Sequence, residues 1–296
     1  MTRLGRLRGA TLVDTCFLLA VVVLLVVLVL PPLRQTRKMA FAATCKSNLS
    51  NLGKSMLLYP NDYGHELPRA GGPGGSWAAR TPNWKAGNRM EAYGTAGPDQ
   101  AGQASVSASL HLLVKYAGAS PEMFVCKNDI GTSAWVLADE PNTPPGFGLT
   151  DAWDFGSEPT RHVSYAYQMP YTEHRLSFAG QPGSVIAADR NPWMGSPSAP
   201  ARDFSTFKPD AAGFGGTQKQ ARAGNSPSHK GDGQNVLFLD CHVEFGKRPY
   251  CGIEEDNIYT SWDGADKVRG KPAVFGSQPA DPNDSLLVND PAVPRG

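Results

Sequence analysis

Gly9-Ala-Thr-Leu-Val-Asp14 opens the stretch whose reading decides the fold, and it leads through Thr15 into Cys16 to Leu30, where every residue is apolar. Arg3, Arg6 and Arg8 precede it without an acid. As a helix, residues 10–33 are long enough to cross the ~30 Å hydrocarbon core of a bilayer, so a transmembrane helix is predicted there. Arg34, Arg37 and Lys38 beyond the run match the three leader arginines, which leaves the orientation open on charge alone. An acid at the centre of such a span costs roughly 2.5–3.5 kcal/mol, so Asp14 must either reach the headgroups or meet a partner.

The helical signal continues past Pro31 and Pro32, two residues that lack a donor N–H and loosen a helix. Phe41, Cys45, Leu49, Leu52, Met56 and Tyr59 recur at steps of three and four, with Lys46, Ser50 and Lys54 off the stripe. This is the pattern of an amphipathic helix over residues 34–60, stopped by Pro60, Asn61, Asp62 and Gly64.

The rest of the chain reads differently. With 32 Gly and 25 Pro in 296 residues, it favours a loop-rich domain containing β-structure over a helical bundle. A net charge of +1, with no long basic stripe, argues against a nucleic-acid partner. Apolar spacing predicts a short helix at 110–117, and β-rich runs predict strands at 164–167, 186–189 and 256–262. Residues 235–239, a turn at Asp240-Cys241 and residues 242–245 read as a hairpin. Gly/Pro-rich loops at 69–108 and 191–227 carry Trp77, Trp84 and Trp193, read as small clusters that pin the loops down. Residues 275–296, rich in Pro, Asp and Asn, read as a mobile tail.

Five cysteines are present, Cys16 in the apolar run and Cys45, Cys126, Cys241 and Cys251 outside it. The last four permit two disulfides in any of three pairings. None has the C-x-x-C spacing of a zinc or redox site, so no metal or other cofactor is expected. His229, Asp232, Asp240 and His242 invite an acid/base or metal reading. Alternation on the hairpin sends His242 outward, however, Asp240 suits a turn, and no nucleophile stands at a matching spacing. An enzyme is therefore not expected, and a hydrolase or metal-dependent lectin at His229 to His242 is a distant alternative.

The N-terminal pattern Gly9-Ala-Thr-Leu-Val-Asp14 plus apolar run resembles the start of type IV prepilins and type II secretion pseudopilins. Cys45-Lys-Ser-Asn-Leu49, Leu52-Gly53, Phe124-Val-Cys126-Lys-Asn-Asp129, Ser164-Tyr-Ala-Tyr167 and Ile186-Ala-Ala-Asp189-Arg190 resemble, in order, pieces of the planctomycete H-X9-DG (DUF1559-related) group of pseudopilin-like proteins. So does His229 through Asn235 to Asp240-Cys241-His242, although ten residues separate His229 from Asp240 and Cys241 stands where the family has glycine.

The resemblance implies cleavage by a prepilin peptidase between Gly9 and Ala10 and N-methylation of Ala10. It further implies assembly with other pilin subunits guided by Asp14. The implied fold is α+β, a long N-terminal helix, half transmembrane and half amphipathic, packed on an antiparallel sheet with long Gly/Pro-rich loops. Its segments are a leader (1–9), a transmembrane helix (10–33), its amphipathic continuation (34–60), an exported globular domain (61–274) and the tail (275–296). The implied localisation is a single pass through the inner (cytoplasmic) membrane, N-terminus cytoplasmic before processing and globular domain periplasmic. The implied function is a structural filament subunit. A non-polymerising, membrane-anchored protein with a glycan- or protein-binding exported domain is the alternative. The family's glycine marks a turn that needs φ > 0, where Cys241 costs on the order of 1 kcal/mol. A Cys241–Cys251 disulfide is expected to offset that strain, leaving Cys45 to pair with Cys126.

Overall fold

A computed structural model describes residues 12–59, 66–97, 100–174 and 177–292. Gly9 and Ala10, and the helix stop at Pro60, Asn61, Asp62 and Gly64, lie outside the described residues. The chain divides into two compact units, Met1–Ala43 and Thr44–Gly296.

Helix α1 runs Leu12–Leu58. The predicted fold class needs correction here, together with the membrane localisation. Among the described residues no helix is long and apolar enough to cross a membrane. In the first unit the large apolar side chains of α1 from Leu12 to Leu28 are solvent-exposed. In the second unit the same helix buries Cys45, Leu49, Leu52 and Met56 on one face, the stripe that the three-and-four spacing defines.

The second unit is α+β. After α1 come β1 (Ser76–Trp77), α2 (Arg89–Tyr93), β2 (Gln103–Ala104), α3 (Val106–Ala117), β3 (Tyr165–Gln168), β4 (Val185–Asp189), α4 (Gln218–Arg222), β5 (Gln234–Phe238), β6 (Val243–Gly246), β7 (Thr260–Asp263), β8 (Asp266–Pro272) and β9 (Leu287–Val288). The main sheet has the order β6-β5-β4-β3-β9 with every neighbouring pair antiparallel. Two smaller sheets pair β1 with β2 and β7 with β8. Side chains alternate across the main sheet, as a pleat requires. Tyr165, Tyr167, Ile186, Leu237 and Val243 join the α1 stripe and α3 in one core, while Ala166, Val185, Ala188, Val236 and Phe238 join Trp193, Phe207, Ile258 and Tyr259 in another. With both faces covered, the central strands are buried throughout.

The C-terminal stretch corrects a further expectation. The tail is docked from Asp284 to Asp290: β9 pairs with β3, and Asp290 is buried. Its carboxylate accepts from Val106 N and Ser107 N, each at 2.8 Å, at the start of α3, and from Trp77 Nε1 at 2.9 Å. Those amides are the orphan donors of a helix N-terminus, so the buried carboxylate has a structural partner. A run rich in Pro and Asp thus fills a sheet edge, something its polarity hides.

Candidate functional site

The site is built where α1, the loop after Phe124, β4 and the segment before β5 meet under the sheet. Cys45, on the buried stripe of α1, is disulfide-bonded to Cys126 across a sequence separation of 81. Closing a loop of that length contributes about 4.5 kcal/mol on the chain-entropy estimate. Asn48, one turn further along α1, donates to Val125 O at 3.0 Å and fixes the same loop.

His229 ends a short 3-10 turn, Pro227–His229, whose cap Lys230 takes a left-handed conformation with φ 58°. That turn aims the ring inward, and only 7% of the residue is exposed. Its Nε2 stands 3.0 Å from Asp189 Oδ2 and 3.8 Å from Cys126 Sγ. Asp189 closes β4 and is fully buried; its Oδ2 also accepts from Asn235 N at 2.6 Å and Asn235 Nδ2 at 3.2 Å. On the other side of the ring, Asn128 Nδ2 lies 3.0 Å from His229 Nδ1. Burial alone lowers the imidazole pKa, but the hydrogen bond and charge of Asp189, with Asp232 and Asp129, outweigh it and hold the pKa above its ordinary value.

Next to this cluster Arg190 is buried and pairs with Asp129, Nε to Oδ2 at 3.0 Å and Nη2 to Oδ2 at 2.9 Å, while Nη2 also donates to Thr160 O at 3.1 Å. The pair therefore brings its own hydrogen-bond partners, which a buried charge needs. Asp189-Arg190 at the end of one strand thus sends two charged side chains into two separate buried networks.

The Cys–His–Asp set is not a hydrolytic triad. Such a triad needs the acid on one ring nitrogen and the nucleophile on the other, whereas here Asp189 and Cys126 both face Nε2. Cys45, Cys126, Asp189 and His229 each carry one potential ligand atom, and these atoms lie within 4.8 Å of one another, although the two sulfurs are engaged in the disulfide.

The hairpin residues separate. Asn235 and His229 are drawn into the buried cluster, while Asp240, Cys241 and His242 sit at the β5–β6 turn. Asp240 accepts from His242 N at 3.1 Å and also meets its ring Nδ1, an ordinary turn role. His242 stacks on Phe238 at 4.3 Å and stays exposed. Asp232 pairs with Arg222 at the surface, away from that turn. Cys241 has φ 68°, the left-handed geometry expected of its position.

The proposed Cys241–Cys251 disulfide is corrected, since both cysteines are free. The reason is which face each occupies. A Cβ at Gly53 of α1 would stand 3.3 Å from Cys241 Sγ, so this thiol is on the α1 side, whereas Cys251 packs on the cluster of the opposite face. A Cβ at Gly53 would also stand 3.0 Å from Leu237 Cδ1, so a larger residue there needs that side chain or Cys241 to give way.

Asp14 lies in the first turn of α1, where a carboxylate complements the helix dipole. Asp189 was legible in the sequence only as part of a strand motif, and its meeting with His229 had no local signal. No protein family, curated protein or solved structure matches this chain.

Proposed function

We propose that this protein is a structural subunit, related in kind to the pseudopilin-like proteins its motifs resemble, which assembles with further copies or related chains through the N-terminal part of α1. The observation that carries this reading is the exposed apolar surface of that helix: Leu12, Val13, Phe17, Leu18 and the Val and Leu residues through Leu28 are all open to solvent. An apolar surface of that extent marks an interaction site, and a helix exposing it on every side is suited to burial among other helices. Asp14, at the start of this helix, supplies a charge for register, and a prepilin peptidase acting between Gly9 and Ala10 is the processing partner.

The test is assembly of the full chain, followed by sedimentation and electron microscopy. Val22→Glu with Leu25→Lys is expected to abolish assembly while leaving the far-UV spectrum and the Cys45–Cys126 bond unchanged. Asp14→Ala is expected to give disordered assemblies. A native chain that stays monomeric at tens of micromolar, or assemblies indifferent to the double substitution, sinks the reading.

A further inference from the structure

We propose that Cys45, Cys126, Asp189 and His229 form a tetrahedral Zn²⁺ site that the disulfide keeps closed and that reduction opens. The ligand atoms come from four separate segments, so no spacing in the sequence announces them, yet they converge within 4.8 Å. Around a tetrahedral zinc with sulfur, nitrogen and oxygen ligands, neighbouring donor atoms stand about 3.3–3.8 Å apart. His229 Nε2 is 3.8 Å from Cys126 Sγ and 3.0 Å from Asp189 Oδ2. The two bonded sulfurs must separate, and any pair near the 4.8 Å limit must close by about 1 Å.

The outer shell is also in place. Metal-binding side chains need fixed orientations from neighbours that are themselves held. Asn235 holds Asp189 with two donors, at 2.6 and 3.2 Å, and Asn128 holds the far nitrogen of His229 at 3.0 Å. Asp189 Oδ1 is buried without a hydrogen-bond partner in the disulfide state, a carboxylate oxygen with lone pairs unspent. Leaving such an atom unsatisfied is costly, and a cation in the cluster supplies what it lacks. All four residues are buried, which suits a closed structural site rather than one with an open catalytic position.

The chemistry balances. A dithiol reductant attacks one sulfur of Cys45–Cys126, its second thiol displaces the mixed disulfide, and the reductant leaves as a disulfide. Two electrons and two protons are thereby delivered, and both cysteines become thiols. Zn²⁺ then displaces the two thiol protons to solvent and accepts the Nε2 lone pair of His229. The proton that Nε2 directs at Asp189 in the disulfide state is exchanged through solvent for one on Nδ1, where Asn128 accepts it once its amide has turned over.

The experiment uses the full chain carrying Cys16→Ser, Cys241→Ser and Cys251→Ser, so that Cys45 and Cys126 are the only thiols. It is treated anaerobically with a phosphine reductant, incubated with Zn²⁺ and desalted. One zinc per reduced chain and none per oxidised chain is expected, and Co²⁺ in its place is expected to give the visible bands of a tetrahedral thiolate site. In that background Asp189→Asn and His229→Gln are expected to weaken zinc binding 10-fold or more. If reduction unfolds the chain, zinc is expected to restore its far-UV spectrum. A folded, reduced chain without zinc, equal zinc in the oxidised chain, a reduced chain that zinc does not refold, or affinity unchanged by both substitutions overturns the proposal.

Discussion

Two histidine–aspartate pairs lie at the two ends of the β5–β6 region, and they show what position does to identical chemistry. His229 and Asp189 meet at 3.0 Å under the sheet, from residues distant in sequence, with almost no exposure. His242 and Asp240 meet two residues apart at a turn, both about half-exposed. In the exposed pair water screens the charges and competes for every donor, so little stability depends on it. In the buried pair Asp189 is the acceptor that His229 shares with Asn235, so losing it strands more than one buried donor.

The largest effect that can break this comparison is at Asp189. Asp189→Ala leaves His229 and the Asn235 N–H without their acceptor and is expected to cost about 3–5 kcal/mol in urea unfolding of the disulfide-bonded chain. A cost under about 1 kcal/mol would put the two pairs on the same footing.

The carboxylates sharpen the contrast through pH. Burial first, then the nearby Asp284, raises Asp256 to about 7 despite hydrogen bonds from Ser285 and Trp262, whereas hydrogen bonds from His242 hold exposed Asp240 below the ordinary range. A raised folded pKa means the folded state binds its proton more tightly than the unfolded chain. The contribution of Asp256 is therefore complete below its ordinary value of 3.8 and lost as pH rises through about 7. His229, also raised, adds to the loss above its ordinary 6.5. Thermal midpoints are expected to fall between pH 4 and pH 8, and Asp256→Asn is expected to remove a part of that fall on the order of a few kcal/mol. An unchanged pH profile in the variant would show that Asp256 is solvated like Asp240.

Smaller still is the turn. Cys241→Gly relieves the left-handed conformation at φ 68° and is expected to stabilise the fold by about 1 kcal/mol, seen as a shift in denaturation midpoint. Last comes His242→Ala, expected to change stability by less than about 1 kcal/mol. A larger loss would mean that the stack on Phe238 carries the hairpin.

Local features were readable where the physics is local. The steps from Cys45 to Met56 define one face of a helix, and that face is buried. The runs at Ser164 and Ile186 and the two arms of the hairpin predict strands, and β3, β4, β5 and β6 occupy those places. The φ > 0 at position 241, which the glycine of the resembled family implies, is the conformation that Cys241 takes. The readings that failed asked more of the sequence than periodicity carries. Apolarity in the first thirty residues suggested a span, and polarity after residue 275 suggested a free tail. Yet no described helix is a span, and Asp284 to Asp290 lies buried against α3 and β3.

By itself, then, the sequence determined which residues turn, which alternate and which faces are apolar, because backbone sterics and solvent affinity act over a few residues. Tertiary structure alone decided that Cys241 and Cys251 stay apart on opposite faces of a sheet, that Asp290 caps α3, and that Cys45, Cys126, Asp189 and His229 share one buried place. Those meetings join segments as far as 184 positions apart, the separation of Asp290 from Val106. They depend on how whole layers pack, so no interval in the chain records them.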